Sequence, residues 1–342
     1  MTVRSRAPLR LGLAGGGTDV SPFSDEHGGF VMNVSIDKFA HATIDPSPTG
    51  RVEFHAQDAD SIQVLAPGEI DLSPGRQQLM RGVYLYVCDR MLGGDRPPLR
   101  IRARSDAPPG SGLGSSSTMV VALVAAFAEY FGLPLGEYEI AQSAYDIERK
   151  DLGLSGGKQD QYAAAFGGFN FMEFYAGDRV IVNPLRIKDW VWAELEASMV
   201  LYFTGVSRSS ASIIDEQVRN ARERRADSLE AMFRLKEEAT QMKEALLRGD
   251  LGRFASVMQS GWEAKKRMAS SITNPMIDEV EALAFANGAE ATKVSGAGGG
   301  GFMIFVCDPA DRVRLVNALS RAGGTLYDAH FTPHGASSWK IG

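Results

Sequence analysis

The chain has 342 residues and is 44% hydrophobic, enough to bury a sizeable core and long enough that two domains are expected rather than one. A formal net charge of −6 excludes a general nucleic-acid or anionic-membrane surface but leaves room for one locally positive pocket that takes a small anion. Cys88 and Cys307 lie far apart and outside any CxxC pair, so they read as reduced, buried thiols of a cytoplasmic protein. The opening MTVRSRAPLRLGLAGGG has no apolar stretch of signal-peptide type. The longest wholly apolar run, residues 119–128, is about half the length that crosses a bilayer.

In chain order, TVRSRAPLRLGLAG alternates like a strand and breaks at three glycines. FVMNVSIDKFAHATIDP reads as a strand pair ended by Pro46 and Pro48, and residues 99–103 alternate again. STMVVALVAAFAEYFG is a helix apolar on most faces that stops at Gly132, and GEYEIAQSAYDIER is a second helix. GGFNFMEFY and RVIVNPLRI form a strand pair turning at Gly177 and Asp178, and ASMVLYFTG is a short buried strand. Residues 215–248 place Leu229, Met232, Leu235, Ala239, Met242 and Leu246 at spacings of three and four, the pattern of a long amphipathic helix ending at Gly249. The RERR at 222–225, in its entry, reads as a solvated face. A shorter helix spans residues 254–268, another starts at Asn274 and Pro275, and ATKVSGAGGGGFMIFVC is strand, glycine loop, strand. The domain boundary is expected near residues 185–195.

Three stretches carry chemistry. PPGSGLGSSSTM, residues 108–119, places glycines and three serines directly before the apolar helix. The first backbone N–H groups of a helix have no partner within it, the helix dipole is positive there, and glycines let the backbone approach a phosphate without Cβ clashes. The lysine of a GK[ST] loop is missing, so the positive charge must come from elsewhere. GAGGGG at 296–301 matches GxGxxG in form only, since it leads into a strand and not a helix, which argues against a dinucleotide site. In PLRLGLAGGGTD, Arg10 ends a strand and Asp19 follows the glycines; the two suit a site for hydroxyls beside a phosphate, and an exposed arginine with a turn aspartate is the plain alternative. Glu148 on a helix and Asp160 after a Gly-Gly turn would divide metal binding and proton acceptance, or else sit on helix surfaces. His27, His41, His55, His330 and His334 show no zinc-site spacing.

In this order, PLRLGLAGGGTD, PPGSGLGSSSTM, GGKQDQY and KVSGAGGGGFMIF resemble the motifs of the GHMP kinases, the superfamily of galactokinase, homoserine kinase, mevalonate kinase and phosphomevalonate kinase; the resemblance spans residues 8–305. It implies an α+β fold of two domains: an N-terminal ATP-binding domain (1–190) like domain 2 of ribosomal protein S5, and a ferredoxin-like C-terminal domain (191–342), with the site between them. It implies ATP and Mg2+. Gly110, Gly112, Leu113, Gly114, Ser115, Ser116 and Ser117 would line the triphosphate, with Ser116 and Glu148 on the magnesium. Asp160 would be the catalytic carboxylate and Arg10 the arginine at the transferring phosphoryl group. Asp19 would hold sugar hydroxyls, with Gly16, Gly17, Thr18, Lys158, Gly298 and Gly299 completing the substrate side. Where galactokinase-type members carry GEHTD, this chain has AGGGTDVSPF, which is similar to bacterial kinases of D-glycero-D-manno-heptose 7-phosphate and partly to fucose kinase domains. The implied activity is phosphorylation of the anomeric hydroxyl of that heptose, on the way to GDP-heptose. The alternatives are a fucose or other hexose 1-kinase and a catalytically silent sugar sensor. Lys38, Lys158, Arg208 and Lys293 are candidates for the 7-phosphate. The expected partner is a small sugar phosphate, with neither nucleic acid nor membrane, and a homodimer is allowed.

Overall fold

In the computed structural model, residues 1–206, 213–216, 218–219, 223 and 226–342 are described. The chain runs β1 (Thr2–Ala14), α1 (Phe23–His27), β2 (Gly29–Pro46), β3 (Val52–Ala56), β4 (Ser61–Leu65), α2 (Gln78–Met91), β5 (Leu99–Ser105) and α3 (Ser115–Phe131). It continues with α4 (Glu137–Tyr145), a π-helical turn (Asp146–Asp151), α5 (Gln159–Phe166), β6 (Phe169–Phe174) and β7 (Val180–Pro184). Then come α6 (Asp189–Ser198), β8 (Met199–Phe203), α7 (Ala226–Arg248), α8 (Leu251–Lys266), α9 (Pro275–Ala286), β9 (Ala289–Val294), β10 (Phe302–Cys307), α10 (Arg312–Leu319), β11 (Thr325–Tyr327) and β12 (Ser337–Ile341).

The first sheet has the order β12-β1-β2-β5-β3-β4, with β6 and β7 also attached through β2. The expected pair in 29–46 is one strand of 18 residues; its first part pairs with β6 and its last part with β5 along the same edge, while β1 lines the other. The pairings are antiparallel except for β3 with β5. The second sheet, order β11-β8-β10-β9, is antiparallel throughout. Its chain order, strand–helices–strand–strand–helix–strand, is the ferredoxin-like arrangement the resemblance implies.

Three apolar cores follow from the periodicities. α2 to α5 cover one face of the first sheet. The other face meets α7, α8 and the second sheet: Phe302, Ile304 and Val306 of β10 point into that middle core, while Met303, Phe305 and Cys307 point into the third, against α7 to α10. β10 is therefore buried on both faces, which explains a run with no polar alternation. We propose residue 190 as the division, where the chain leaves the first sheet for the second. β12 returns to pair with β1, so the C-terminal strand belongs by hydrogen bonding to the N-terminal part.

The patterns read in the sequence do not mark α1, α2, β3, β4, α6, α10, β11 and β12. The long helix expected from residue 215 is seen as α7 from Ala226. The RERR stretch lies largely outside the described residues.

Asn274 caps α9: its Oδ1 accepts from the Ile277 N–H at 3.1 Å, and its Nδ2 donates to the Gly299 carbonyl at 3.1 Å. Asn274→Ala is expected to lower stability by about 1 kcal/mol, as cap losses do. Urea unfolding checks this; an unchanged midpoint contradicts it.

Candidate active site

Arg10 reaches the site because β1 does not run regularly. The register shifts between Pro8, opposite Phe39, and Arg10, opposite Ser35, so that Leu9 faces three residues of β2. Across the shift the side chains change faces. Val3 and Ala7 lie in the core against α3, whereas Leu9, Leu11 and Leu13 lie in the middle core on the other side. Regular alternation would leave Arg10 on the face of Arg4 and Arg6, which at its level is the middle core; instead it is buried on the side of α5. There its Nε donates to Asp160 Oδ1 at 2.8 Å, and its Nη2 lies 2.6 Å from the same oxygen. Nη1 donates to the Gly112 carbonyl at 2.6 Å and to Ser295 Oγ at 3.3 Å.

The two glycine loops interlock at that point. Gly112 has φ +83°, and a Cβ there would lie 2.3 Å from the Ser295 carbonyl oxygen. Gly301 mirrors it, with φ +86° and a Cβ that would lie 2.3 Å from the Ser111 oxygen. The Phe302 N–H donates to that Ser111 oxygen at 2.9 Å, and Ser295 Oγ donates to the Gly112 carbonyl at 3.0 Å. Gly114, in the left-handed region at φ +77°, caps α3 without a side chain, so no cap oxygen covers the first turn. The N–H groups of Ser115, Ser116 and Ser117 precede the first in-helix acceptor, Gly114 O, which Thr118 N takes at 2.9 Å.

A cleft of about 350 Å³ opens beside this turn. It is lined by Gly110, Gly112, Gly114 and the three serines together with Arg10, Asp19, Gly17, Glu148 and Asp160. Gly114 leaves room for Asp160, whose Cγ would lie 3.1 Å from a Cβ at that position. Glu148, on the π-helical turn, is 1% exposed. Its Oε2 accepts from Gln161 Nε2 at 2.5 Å, and Gln161 also donates to Ser117 Oγ at 3.2 Å. Burial pushes the Glu148 carboxyl above its usual range, against the pull of Arg149 and Ser117. Asp19 is 1% exposed and accepts four donors: the N–H groups of Lys158, Gln159 and Gly17 at 2.9, 3.1 and 3.2 Å, and Gln159 Nε2 at 3.2 Å. It thus anchors the start of α5, and with it Asp160, to the glycine turn after β1.

Other expected residues lie elsewhere. Thr18 is fully buried; its hydroxyl donates to the Gly15 and Phe30 carbonyls and accepts from the Phe30 N–H at 3.0 Å, so it locks the turn and does not face the cleft. Leu113 is a core side chain whose carbonyl accepts from Arg10 N. Gly298 and Gly299 pack against Ile272 and Asn274, and Gly296 with Ala297 lines the cleft in their place. Gly16 has no side chain, and a Cβ there would lie 3.7 Å from Lys265 Nζ. Lys158 turns its Nζ to Asp178 at 3.0 Å and lines a second hollow that joins the cleft at Asp19 and Arg149. Lys293 donates to the Leu13 carbonyl at 2.9 Å and does not line the cleft, and neither does Lys38. Arg208 lies outside the described residues.

Two cations were missed. Lys265, from the last turn of α8, is 5% exposed, lines the cleft and donates to the Gly296 carbonyl. Arg149 lines both hollows and donates to the carbonyls of Gly157 at 3.3 Å and Leu154 at 3.4 Å. Both sit among ordinary helix residues in the sequence, and only their burial separates them from solvated lysines and arginines.

Comparison with known proteins gives a consistent result. The model of the GHMP kinases N terminal domain matches residues 78–168, and that of the GHMP kinases C terminal matches residues 242–325. A Campylobacter jejuni protein named D-glycero-alpha-D-manno-heptose 7-phosphate kinase is 45% identical over 99% of each chain. A crystal structure described as a D-glycero-D-manno-heptose 1-phosphate kinase from Bacteriodes thetaiotaomicron is 46% identical, with a TM-score of 0.83 over 99% of each chain. The Bacteroides fragilis L-fucokinase/L-fucose-1-P guanylyltransferase is 26% identical over 93% of this chain and 36% of its own length.

Thr18→Val would strip the hydroxyl's donated and accepted hydrogen bonds from a buried turn, at an expected cost of about 1–3 kcal/mol. The melting temperature should fall while KM for the acceptor, measured well below melting, stays unchanged. A raised KM without destabilisation would return Thr18 to the substrate.

Proposed function

The chain belongs to the GHMP kinases, and on that premise we propose that it transfers the γ-phosphoryl group of ATP to the anomeric hydroxyl of D-glycero-D-manno-heptose 7-phosphate, giving the 1,7-bisphosphate. The full-length identity to proteins named for that heptose supports the acceptor. The observation that carries the chemistry is Asp160, with one carboxylate oxygen held by Arg10, in a cleft that also takes in the uncovered first turn of α3.

On this reading the amides of Gly110 to Ser117 bind the nucleotide phosphates, since backbone donors and the helix dipole serve where no loop lysine exists. The donors on that side also fit Mg2+, a hard cation that takes one or two carboxylates and completes its shell with phosphate oxygens and water. Glu148 is a dehydrated carboxylate beside serine hydroxyls, and a divalent cation would restore its charge. Ser117 is the serine turned to Glu148, while Ser116 is exposed at the cleft wall. Glu148 with Ser116 and Ser117 would hold the ion, which when bound neutralises phosphate charge.

Asp160 Oδ1 is taken by Arg10, which leaves Oδ2 to accept the hydrogen bond of the anomeric hydroxyl and then its proton. Arg10 fixes the carboxylate and adds positive charge where the phosphoryl group crosses. Asp19, although it carries four donors, faces the same cleft and is the group for sugar hydroxyls, with Gly17 beside it. For the 7-phosphate we propose the second hollow, where Lys158 and Arg149 stand together.

Phosphorus NMR of the product from ATP and heptose 7-phosphate tests the acceptor: a new anomeric phosphate resonance is expected, and its absence overturns the heptose reading in favour of a fucose or hexose 1-kinase. Asp160→Asn should lower kcat by about 10²–10⁴-fold with the fold intact, the usual range for a general base. Arg149→Ala and Lys158→Met should raise KM for the phosphorylated sugar selectively over the unphosphorylated one; equal effects on both would remove the second hollow from the reading.

A further inference from the structure

We propose that Lys265 is a catalytic residue of this kinase: its ammonium group donates hydrogen bonds to the phosphoryl group in transit, from beside the second glycine loop. The inference rests on the kinase reading and adds a group that the sequence motifs do not contain.

The first support is position. Lys265 lies between the turn that follows β1 and the second glycine loop, with Gly16 near its Nζ and Gly296 accepting its hydrogen bond. It lines the same cleft as Arg10, Asp19 and Asp160. Lys265 is 5% exposed, and because Gly16 and Gly296 carry no side chains, none from either stands between the amine and the cleft.

The second support is what the amine lacks. Its neighbour Lys266 has two carboxylates, Glu263 and Glu281, each at 3.0 Å. Lys265 has no carboxylate within ion-pair distance among the described residues, although it is the more buried of the two. An ammonium has three N–H donors, and one is used on the Gly296 carbonyl. A buried cation without a counterion is strongly disfavoured unless an anion arrives to pair with it. The other charges around it are already engaged. Arg10 is bound to Asp160, Asp19 is wrapped by four donors, and Lys293 points to the Leu13 carbonyl behind the site. Lys265 thus keeps two N–H donors to spare, and unlike Arg149, the other cleft cation with unused donors, it stands beside Arg10 and Asp160.

The third support is electrostatic. Burial, and then Arg10, push the Lys265 amine down to about 8, with Asp19 and Asp160 pulling the other way. Lys293 is held well below its usual range by burial and then by Lys265, so behind the site it does not compete for an incoming anion. An incoming phosphate reverses that balance and holds the amine protonated. In the transfer the bond from phosphorus to the β-γ bridging oxygen breaks, and ADP leaves with that electron pair. The new bond forms to the acceptor oxygen, whose proton passes to Asp160. Lys265 donates hydrogen bonds throughout and exchanges no proton.

The test compares wild type, Lys265→Met and Lys265→Arg. Wild type is first assayed with the heptose 7-phosphate, the unphosphorylated heptose and fucose, and the variants are then measured on whichever acceptor is phosphorylated. A different acceptor overturns the heptose reading and leaves this comparison intact; no transfer to any acceptor overturns both. Lys265→Met, which removes an unpaired buried charge, should melt no lower than wild type. Its kcat should fall about 10²–10³-fold, the effect of losing one transition-state donor, with KM for ATP and sugar within a few-fold of wild type. Wild-type kcat/KM should decline above about pH 8, where the free enzyme loses the Lys265 proton. Lys265→Met should lack that decline, and Lys265→Arg should recover part of kcat while holding activity to higher pH. Unchanged kcat in Lys265→Met, a loss confined to KM for the sugar, or an alkaline decline that persists in both variants overturns the proposal.

Discussion

One guanidinium holds the site together. Arg10 bonds a carboxylate on α5, a carbonyl in the loop before α3 and a hydroxyl at the end of β9, so one side chain of β1 joins elements from both sheets. Its charge is buried and therefore needs all of these partners, since a dehydrated cation gains stability only from good geometry on every side. The same requirement orients Asp160. With both Arg10 N–H groups on Oδ1, the second oxygen is the one that faces an acceptor.

The glycines are explained by the same close approach. The loops before α3 and before β10 cross with backbone against backbone, and at Gly112 and Gly301 a methyl group would occupy the space of a carbonyl oxygen from the other loop. The crossing holds Gly114 as a cap with no side chain, and the first turn of α3 stays open to the cleft. The loop that resembles a nucleotide motif is thus a packing junction and, in the function proposed above, an anion site at once, with Arg10 and Lys265 in the part of a loop lysine.

The two carboxylates differ because their surroundings differ. Glu148 is enclosed and accepts from Gln161, and burial disfavours its charged form, which suits a ligand completed by a cation. Asp160 is partly open, with a guanidinium on one oxygen and the other left clear of it, which suits a group that must meet an incoming hydroxyl. Asp19, nearly as enclosed as Glu148, accepts from three backbone amides and a side-chain amide and so sets the angle at which α5 presents Asp160.

Much of this was legible in the order of residues alone. Glycines before an apolar helix, the Arg10 and Asp19 motif, and Asp160 after a Gly-Gly turn specify local conformations, and local conformation is what neighbours in sequence determine. The strands with clean alternation and the helices at spacings of three and four were likewise readable, because burial on one face leaves a period. Other features depended on partners distant in the chain. That residues 29–46 form one strand followed from pairing with β5 and β6, and Pro46 and Pro48 gave no hint of it. The turn of Arg10 towards α5 arose from a register shift against β2, and regular alternation would have put it on the face of the middle core. Thr18, Gly298 and Gly299 have the residue types of a binding loop, yet tertiary contacts use them to hold the turns in place. Lys265 and Lys266 are adjacent and alike in sequence. Only the packing of α8 against the second glycine loop buries the amine of Lys265 in the cleft and leaves that of Lys266 on its carboxylates, since the environment of a charge is set by what folds around it.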